Sequence, residues 1–340
     1  MRHAIDSLIV STELDNYSPF MQSIMYKKIT LLLFLILPAF SSAQTIIELK
    51  PGGSVRAKTI EDYKAEQKMK EREEADSLQY ADNLLRAFNA LHTDSLAEAE
   101  RLFEESLRLR PHAPGNYIIR HNLALIDLAR GQYIRAEKKL TELIQTVPNY
   151  YDARLTRAKT YLQLDRAREA IQDAETLLNT DELKYQSHDY LRQARFVRAS
   201  ARYRLRQYPD ARADLRRILE EDPQNLNAAV LEALTLHQLG QTQEALNRLN
   251  LLLTRDPKSV DVLLARAELH TSLKQYALAR ADYDQLIELH PNDPTLRTDR
   301  ARTLINLGEK SAARRDLDRA IELGLPRGSV QSLYNLTRTK

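Results

Sequence analysis

Side chains that could carry out catalysis are sparse and scattered in this chain of 340 residues. It contains no cysteine, which excludes disulfides, thiolate metal sites and cysteine nucleophiles together. The eight histidines lie apart from one another, without the HExxH spacing of a zinc protease, and Gly52-Gly53 is an isolated turn, not a phosphate-binding loop. We therefore expect no enzyme activity, no cofactor and no metal site.

Arginine and acidic residues do recur at one fixed spacing of 16 residues. The pairs are Arg157 with Asp173, Arg198 with Asp214, Arg266 with Asp282, Arg300 with Asp316 and, with the signs reversed, Glu232 with Arg248. A reversal of both signs preserves the attraction within a pair, whereas it would destroy a site for an anionic ligand. We interpret these residues as salt bridges between two helices, with a structural role.

A second concentration of charge is the segment 191–217, in which nine arginines occur with only two aspartates. A candidate basic patch comprises Arg192, Arg195, Arg202, Arg204, Arg206, Arg212, Arg216 and Arg217. It could bind an anionic polymer, namely an acidic protein, an envelope polysaccharide or, less readily, a nucleic acid. The alternative, which we favour, is a solvated helix pair that the acidic residues 220–222 balance. The net charge of the whole chain, +3, does not by itself indicate a polyanionic partner.

The elements that position these charges follow from an internal repeat of 34 residues. The eighth residue of each unit is Ala87, Ala124, Ala158, Ala199, Ala233, Ala267 or Ala301, and the twentieth is Ala99, Ala136, Ala170, Ala211, Ala245, Ala279 or Ala313. The thirty-second residue is proline in five of the seven units: Pro111, Pro148, Pro223, Pro257 and Pro291. Fourteen alanines in fourteen places, in a chain rich in helix-forming residues, predict a repeated helical hairpin.

Packing explains why the two alanine places are constant. A hairpin that turns near its fifteenth residue brings the eighth and twentieth residues opposite each other, where a larger side chain would separate the helices. Gly131, Gly240 and Gly308 fall at the turn, where glycine allows the left-handed conformation that ends a helix. Each charge pair joins the seventh and twenty-third residues of one unit, which are level with each other across the hairpin.

Small residues at two places, an aromatic residue or leucine at the twenty-fourth and proline at the thirty-second resemble the tetratricopeptide repeat, from about Tyr80 to Leu325. The chain departs from that family's pattern in having no tryptophan. The resemblance implies an all-α fold, an α-solenoid that winds as a right-handed superhelix of about seven hairpins. The repeats are predicted at 80–113, 117–150, 151–184, 192–225, 226–259, 260–293 and 294–327, and we number them 1 to 7.

The resemblance also implies an interaction scaffold whose partner is a protein or peptide, not a small-molecule substrate or a nucleic acid. In the family the first helix of each unit lines a concave groove, mainly through its second, fifth, ninth and twelfth residues. By register these include Leu84, Phe88, Ile118, His121, Leu125, Leu128, Leu155, Lys159, Phe196, Ser200, Tyr203, Val230, Leu234, His237, Leu264 and Glu268. This groove begins apolar and becomes polar, so we expect it to accept a peptide segment through apolar contacts in its first half. The alternative for each residue is a place in the core between repeats.

The ends of the chain carry signals of a different kind. Residues 25–43 have the form of a secretory signal peptide, with two lysines, an apolar run over 29–40 and small residues before Gln44. The run is too short to span a bilayer as a helix, so we expect cleavage near Ala43, secretion to the periplasm of a bacterial envelope and no membrane span afterwards.

The remaining segments are predicted from their position around the signal and the repeats. Residues 1–24 are expected to be an upstream extension from a mis-assigned start, with a longer signal n-region as the alternative. Residues 44–79 are expected to form a charged helical or linker segment, and 328–340 a terminal cap.

Overall fold

The computed structural model describes residues 45–49, 55–180 and 188–338. Within these residues lie 15 α-helices, which confirms the helical fold class. They are α1 (Ile60–His92), α2 (Leu96–Leu109), α3 (Asn116–Ala129), α4 (Tyr133–Thr146), α5 (Tyr151–Gln163), α6 (Ala167–Leu178), α7 (His188–Arg204), α8 (Tyr208–Glu221), α9 (Leu226–Gln238), α10 (Thr242–Arg255), α11 (Val260–Ser272), α12 (Tyr276–Leu289), α13 (Pro294–Asn306), α14 (Lys310–Glu322) and α15 (Gln331–Leu336). The predicted signal peptide and upstream extension lie outside the described residues.

The first of two compact units, Met1–Pro111, contains two strands followed by α1 and α2. Strands β1 (Thr45–Leu49) and β2 (Val55–Thr59) pair antiparallel, with Leu49 opposite Val55. A sheet of two strands is the exception to an otherwise helical structure.

This hairpin lies in the stretch 44–79, which was predicted to be helical or a linker. Only the part from Ile60 onward is helical. The sequence places β-branched residues on both sides of Pro51-Gly52-Gly53, and this combination favours paired strands over a helix. Thr59 ends β2 and caps α1, because its hydroxyl accepts a hydrogen bond from the Asp62 amide at 3.1 Å.

The second unit, His112–Lys340, consists of α3 to α15 and a 3₁₀ turn at Arg327–Val330. Each helix packs against the helix before it and the helix after it, so the hairpins stack in chain order. Contacts also join α5 to α7, α7 to α9 and α9 to α11. The odd-numbered helices, called first helices below, therefore form one layer, and the even-numbered second helices form the other.

The two alanine places have the packing that the repeat predicts. All fourteen alanines have no exposed surface. Each lies where two helices of one hairpin cross, and the absence of a longer side chain allows the backbones to approach. The larger apolar residues of the core, such as Leu215, Leu249 and Leu286, fill the space beside them on the second helices.

The hairpin turns share one backbone conformation at the fifteenth repeat position. The residues there are Asp94, Gly131, Asp165, Arg206, Gly240, Lys274 and Gly308, and φ is positive in all seven, between 56° and 80°. Four of the seven are not glycine, although the left-handed region is unfavourable for a residue with a Cβ atom. Because positive φ occurs in every hairpin whatever the residue, we attribute this conformation to the packing of the two helices and not to the residue type.

Prolines and a terminal cap close the ends of the hairpins. In each unit with a proline at the thirty-second position, the second helix ends two residues before it, as α8 does at Glu221 before Pro223.

After α14 the chain forms the 3₁₀ turn and α15, and buried Val330 and Tyr334 pack against Leu304 and Leu317 of repeat 7. No helix among the described residues is long and apolar enough to cross a membrane.

Candidate partner-binding groove

The first helices of the second unit present one face that the second helices do not cover. Polar side chains on this face bond from one repeat to the next at a spacing of 34 or 35 residues. The bonds join Lys159 Nζ to Gln193 Oε1 at 2.8 Å, His121 Nε2 and Thr156 Oγ1 at 3.0 Å, and His237 Nε2 and Ser272 Oγ at 3.2 Å. A spacing of one repeat shows that equivalent places on neighbouring first helices are adjacent along this face.

The predicted groove residues of repeats 2 and 3 divide into two groups. Ile118, Leu125 and Leu128 on α3 are half-buried, so each keeps apolar surface exposed. His121 and Leu155, with 5% and 6% of their surface exposed, belong to the contact between the repeats. The apolar start of the groove therefore consists of α3 side chains, and two of the predicted residues position the helices instead.

His121 is held on both ring nitrogens in this contact. Nδ1 lies 3.0 Å from the Tyr150 hydroxyl, Nε2 lies 3.0 Å from the Thr156 hydroxyl, and the Tyr150 ring packs edge-on against the imidazole. Burial lowers the pKa of His121 to about 4, although the Asp152 carboxylate opposes the shift. The imidazole is neutral at pH 7 and links α3 to α5.

In the later repeats most predicted groove residues are half-buried. They are Phe196, Ser200 and Tyr203 on α7, Val230, Leu234 and His237 on α9, and Leu264 on α11. Phe196, Val230, Leu234 and Leu264 also pack against the buried core between helices. These side chains combine both roles that the sequence left open, because one part of each contacts the core and another part remains accessible.

Two predicted groove residues, Leu84 and Phe88, lie on α1 in the first unit. Both are half-buried. The Phe88 ring packs edge-to-face against Phe103 on α2, with ring centroids 5.4 Å apart. Phe88 therefore contributes to the packing of the α1–α2 hairpin.

A pocket of about 370 Å³ lies where repeats 3, 4 and 5 meet. Its lining includes Lys159, Asp189, Arg192, Gln193, Phe196 and Asn227. Asp189 accepts hydrogen bonds from Arg192 Nη2 at 2.7 Å and Gln193 Nε2 at 2.8 Å, and burial lowers the pKa of Lys159. Asp189 therefore compensates the charge of Arg192, whereas Lys159 donates to the neutral Gln193.

The exposed face becomes acidic toward repeats 6 and 7. Glu268 is an exposed residue, but partial desolvation by its neighbours raises the pKa of its carboxyl, and the nearby Asp299 carboxylate raises it further. Within the described residues no cationic side chain forms a salt bridge with Glu268, whereas Asp299 accepts a hydrogen bond from exposed Arg302 at 2.9 Å. A cation placed beside Glu268 would relieve the repulsion between the two carboxylates.

The predicted charge pairs across the hairpins are all formed. In four repeats the arginine donates two hydrogen bonds from Nε and Nη2 to the two carboxylate oxygens: Arg157 to Asp173 at 2.7 and 2.7 Å, Arg198 to Asp214 at 2.9 and 2.6 Å, Arg266 to Asp282 at 3.1 and 2.6 Å, and Arg300 to Asp316 at 2.7 and 2.6 Å. In repeat 5, Arg248 donates to Glu232. The four aspartates are 2–5% exposed, so these pairs are more deeply buried than surface salt bridges.

Three of these arginines make a second contact, which the pairing within one repeat does not predict. Arg157, Arg266 and Arg300 also donate from Nη1 to the twenty-fifth residue of the preceding repeat, at 3.1, 2.7 and 2.8 Å. The acceptors are Thr141, Asn250 and Asp284. This partner lies 16 residues before the arginine, just as the aspartate lies 16 residues after it, so the same spacing in the sequence marks both contacts.

Most arginines of the candidate basic patch are paired with acidic residues. Arg192 pairs with Asp189, Arg195 with Glu221, Arg202 with Asp214, Arg204 with Asp165, Arg212 with Glu244, Arg216 with Glu232, and Arg217 with Glu220. Arg206 occupies the turn between α7 and α8 with positive φ. The geometry does not favour an anionic polymer as the partner, because its charges would compete with carboxylates already in place.

Potential metal ligands do not converge in the described part of the chain. No three histidine or acidic side chains there are arranged so that they could hold a metal ion. The exposed face has three parts, namely apolar residues on α3, polar residues around Lys159 and acidic residues around Glu268.

Comparison with known proteins agrees with this architecture. Three family models, each described as tetratricopeptide repeat, match residues 127–194 and 203–269, residues 172–225, and residues 267–330. Together they span more than half of the chain, which belongs to the tetratricopeptide-repeat family. No curated protein matches the sequence significantly.

Solved structures of low sequence identity share the fold. A tetratricopeptide repeat protein from Parabacteroides merdae ATCC 43184 is 23% identical, with a TM-score of 0.66 over 76% of this chain and 99% of its own. PilW, described as a widely conserved type IV pilus biogenesis factor, is 18% identical, with a TM-score of 0.52 over 62% of this chain and 94% of its own. The fold of this family is typical of scaffolds for protein–protein interaction.

Proposed function

We propose that this chain is a non-enzymatic scaffold of the cell envelope that binds a protein or peptide segment along the exposed face of its first helices in repeats 2 to 7. The half-buried apolar residues of α3 carry this proposal. Ile118, Leu125 and Leu128 form accessible apolar surface on a rigid stack, and a preformed surface lowers the entropy cost of binding a segment.

The charge along the face defines the chemistry of the segment. Apolar side chains fit the start of the groove on α3. A lysine or arginine fits the far end, where Glu268 lies beside Asp299 and forms no salt bridge with another described residue. Groove binding depends mainly on apolar contacts, so its affinity should change little with salt, whereas binding of a polyanion would weaken steeply.

The location in the envelope is proposed from residues 25–43, whose pattern is that of a secretory signal. Mass spectrometry of the protein from its native host should find a mature N-terminus at Gln44. A mature protein that retains the apolar run 29–40 would contradict the proposed cleavage.

Paired substitutions test the groove. Leu125→Glu places a charge on the apolar start of the exposed face, and Ile134→Glu is its control, because Ile134 is a 74% exposed apolar residue on the second helix α4. Envelope proteins that the wild-type chain captures should be lost with Leu125→Glu and retained with Ile134→Glu. Equal capture by both variants, with unchanged circular dichroism, would exclude α3 as the binding surface.

A charge reversal tests the acidic end. Glu268→Lys should weaken a partner that has a basic residue there, and the reciprocal change in the partner should restore binding. If Glu268→Lys leaves the affinity for the partner unchanged at low salt, the partner has no basic residue at this place. That result would not contradict the apolar contact on α3.

A further inference from the structure

One polar contact recurs at each junction between repeats 2 to 7, between a buried or half-buried seventh residue and a half-buried or exposed twenty-fifth residue. The seventh residue of a repeat bonds to the twenty-third residue of its own hairpin and faces the twenty-fifth residue of the repeat before it. The facing pairs are Thr141 with Arg157, Glu175 with Arg198, Arg216 with Glu232, Asn250 with Arg266, and Asp284 with Arg300. At the end of the stack, Tyr334 of the cap takes the place of the next arginine and donates to Asp318.

The junction between repeats 4 and 5 has the opposite polarity. Glu232, fully buried, takes the place of the arginine, and Arg248 takes the place of the aspartate. The facing residue of repeat 4 is also reversed, because Arg216 Nε lies 3.8 Å from the Glu232 carboxylate, and Arg212 Nε lies 3.9 Å from it. Three places have therefore changed sign together, which a single tolerated substitution would not produce.

We propose that this inverted junction specifies which repeats stack on each other, so that repeat 5 docks on repeat 4 and not on repeat 3 or repeat 6, in this chain or in a second copy. The hairpins have nearly the same shape and the same buried alanines, so shape alone discriminates poorly between correct and incorrect stacking. The charges discriminate where the shapes do not.

Three incorrect pairings would bring like charges together. If repeat 5 stacked on repeat 3 or repeat 6, Glu232 would face Glu175 or Asp284 in place of Arg216. If repeat 6 stacked on repeat 4, Arg266 would face Arg216. Because Glu232 is buried, a like charge facing it is strongly unfavourable, whereas in the native pairing Arg248 donates to Glu232 and Arg216 lies within 4.0 Å of its carboxylate.

A full-length variant with uniform polarity tests the proposal directly. Arg216→Glu, Glu232→Arg and Arg248→Asp, with Arg212→Gln to remove the remaining positive charge beside position 232, give this junction the signs of the junctions that involve Glu175 and Asp284 and keep its attraction. The variant should unfold in urea at a midpoint close to that of the wild type. After refolding at high protein concentration, however, it should contain about threefold more domain-swapped dimer by size-exclusion chromatography. A dimer fraction equal to that of the wild type would overturn the proposal.

Removal of single repeats gives a second test with a matched control. Deletion of residues 226–259 removes repeat 5 and brings Arg266 against Arg216, whereas deletion of 260–293, also 34 residues long, brings Arg300 against neutral Asn250. The first deletion should lower the urea midpoint more than the second.

The change Arg216→Glu then has opposite effects in the two contexts. It should lower the urea midpoint of the full-length chain, where it faces Glu232, and raise the midpoint of the chain without repeat 5, where it faces Arg266. If the chain without repeat 5 does not fold, Arg216→Glu should restore folding. A lower urea midpoint in both contexts would show that the signs at this junction do not select the neighbouring repeat. The same conclusion would follow if the chain without repeat 5 stayed unfolded with Arg216→Glu while the control deletion folded.

Discussion

His121 illustrates at the scale of one residue how the stack uses polar side chains. Its imidazole lies between the Tyr150 and Thr156 hydroxyls and is 5% exposed, so it connects two repeats through neutral hydrogen bonds. Burial holds its pKa at about 4, below the ordinary value of about 6.5 that the unfolded chain would show. The unfolded state therefore binds more protons than the folded state between these two pH values.

The sign of this difference predicts a loss of stability in acid. As the pH falls below about 6.5, the histidine binds a proton in the unfolded state, whereas the buried imidazole of the folded state stays neutral. This residue should therefore lower the free energy of unfolding by about 2 kcal/mol between pH 7 and pH 5. Urea unfolding at both pH values should show a smaller drop in His121→Gln than in the wild type. His112→Gln, which changes an exposed histidine, is the control. The same drop in His121→Gln as in the wild type would contradict this assignment.

At the scale of the element, the hairpin turn is the most constrained part of the repeat. Every turn has a positive φ at its fifteenth position, and glycine occupies only three of the seven. A Cβ atom at Gly240 would meet no other atom within 4 Å, so a side chain there is opposed by the backbone conformation alone.

This turn geometry predicts opposite effects of two substitutions. Lys274→Gly should raise the free energy of unfolding by about 1 kcal/mol, because it removes the cost of a left-handed lysine. Gly240→Ala should lower it by about 1 kcal/mol for the converse reason. Thermal melting of the two variants measures both effects. Destabilisation by Lys274→Gly would show that the lysine side chain contributes more than its conformation costs.

At the scale of the second unit, stability is distributed along the stack. In the described residues each hairpin packs mainly against its neighbours, so the end of the array relies on the cap for the contacts that a further repeat would supply. Tyr334 supplies two of these contacts: its ring covers the apolar end of repeat 7, and its hydroxyl donates a hydrogen bond to Asp318.

A change in the cap should therefore act locally. Tyr334→Ala should destabilise repeat 7 by about 3 kcal/mol and accelerate amide hydrogen exchange in α13 and α14, while exchange in α3 to α6 stays unchanged. Leu336→Ala, at a 56% exposed residue of the same helix, should have little effect on either region. Equal acceleration along all helices would show that this unit unfolds as one block.

The location of a contact explains how much of the candidate site could be read from the sequence. The pairing of Arg266 with Asp282 was predictable because both residues belong to one hairpin, whose geometry follows from its periodicity. The sequence left open whether His121 lies in the groove or in the core between repeats, because the burial of a first-helix residue depends on how far the next repeat is rotated. Arg216 was a candidate for the basic patch, and its partner Glu232 could not be identified from the sequence because it lies on the following hairpin.

The amino-acid sequence alone determined the repeat, its length, the buried alanines and the salt bridges within hairpins, because all of these depend on residues fewer than 34 positions apart in a regular helix pair. Only the tertiary structure decided the hairpin of β1 and β2, the left-handed turns at residues other than glycine, and the contacts between neighbouring repeats. The physical reason is that these features depend on how one element packs on another. Periodicity within a repeat does not specify the angle between repeats, and that angle determines which charges meet and which groove residues remain exposed.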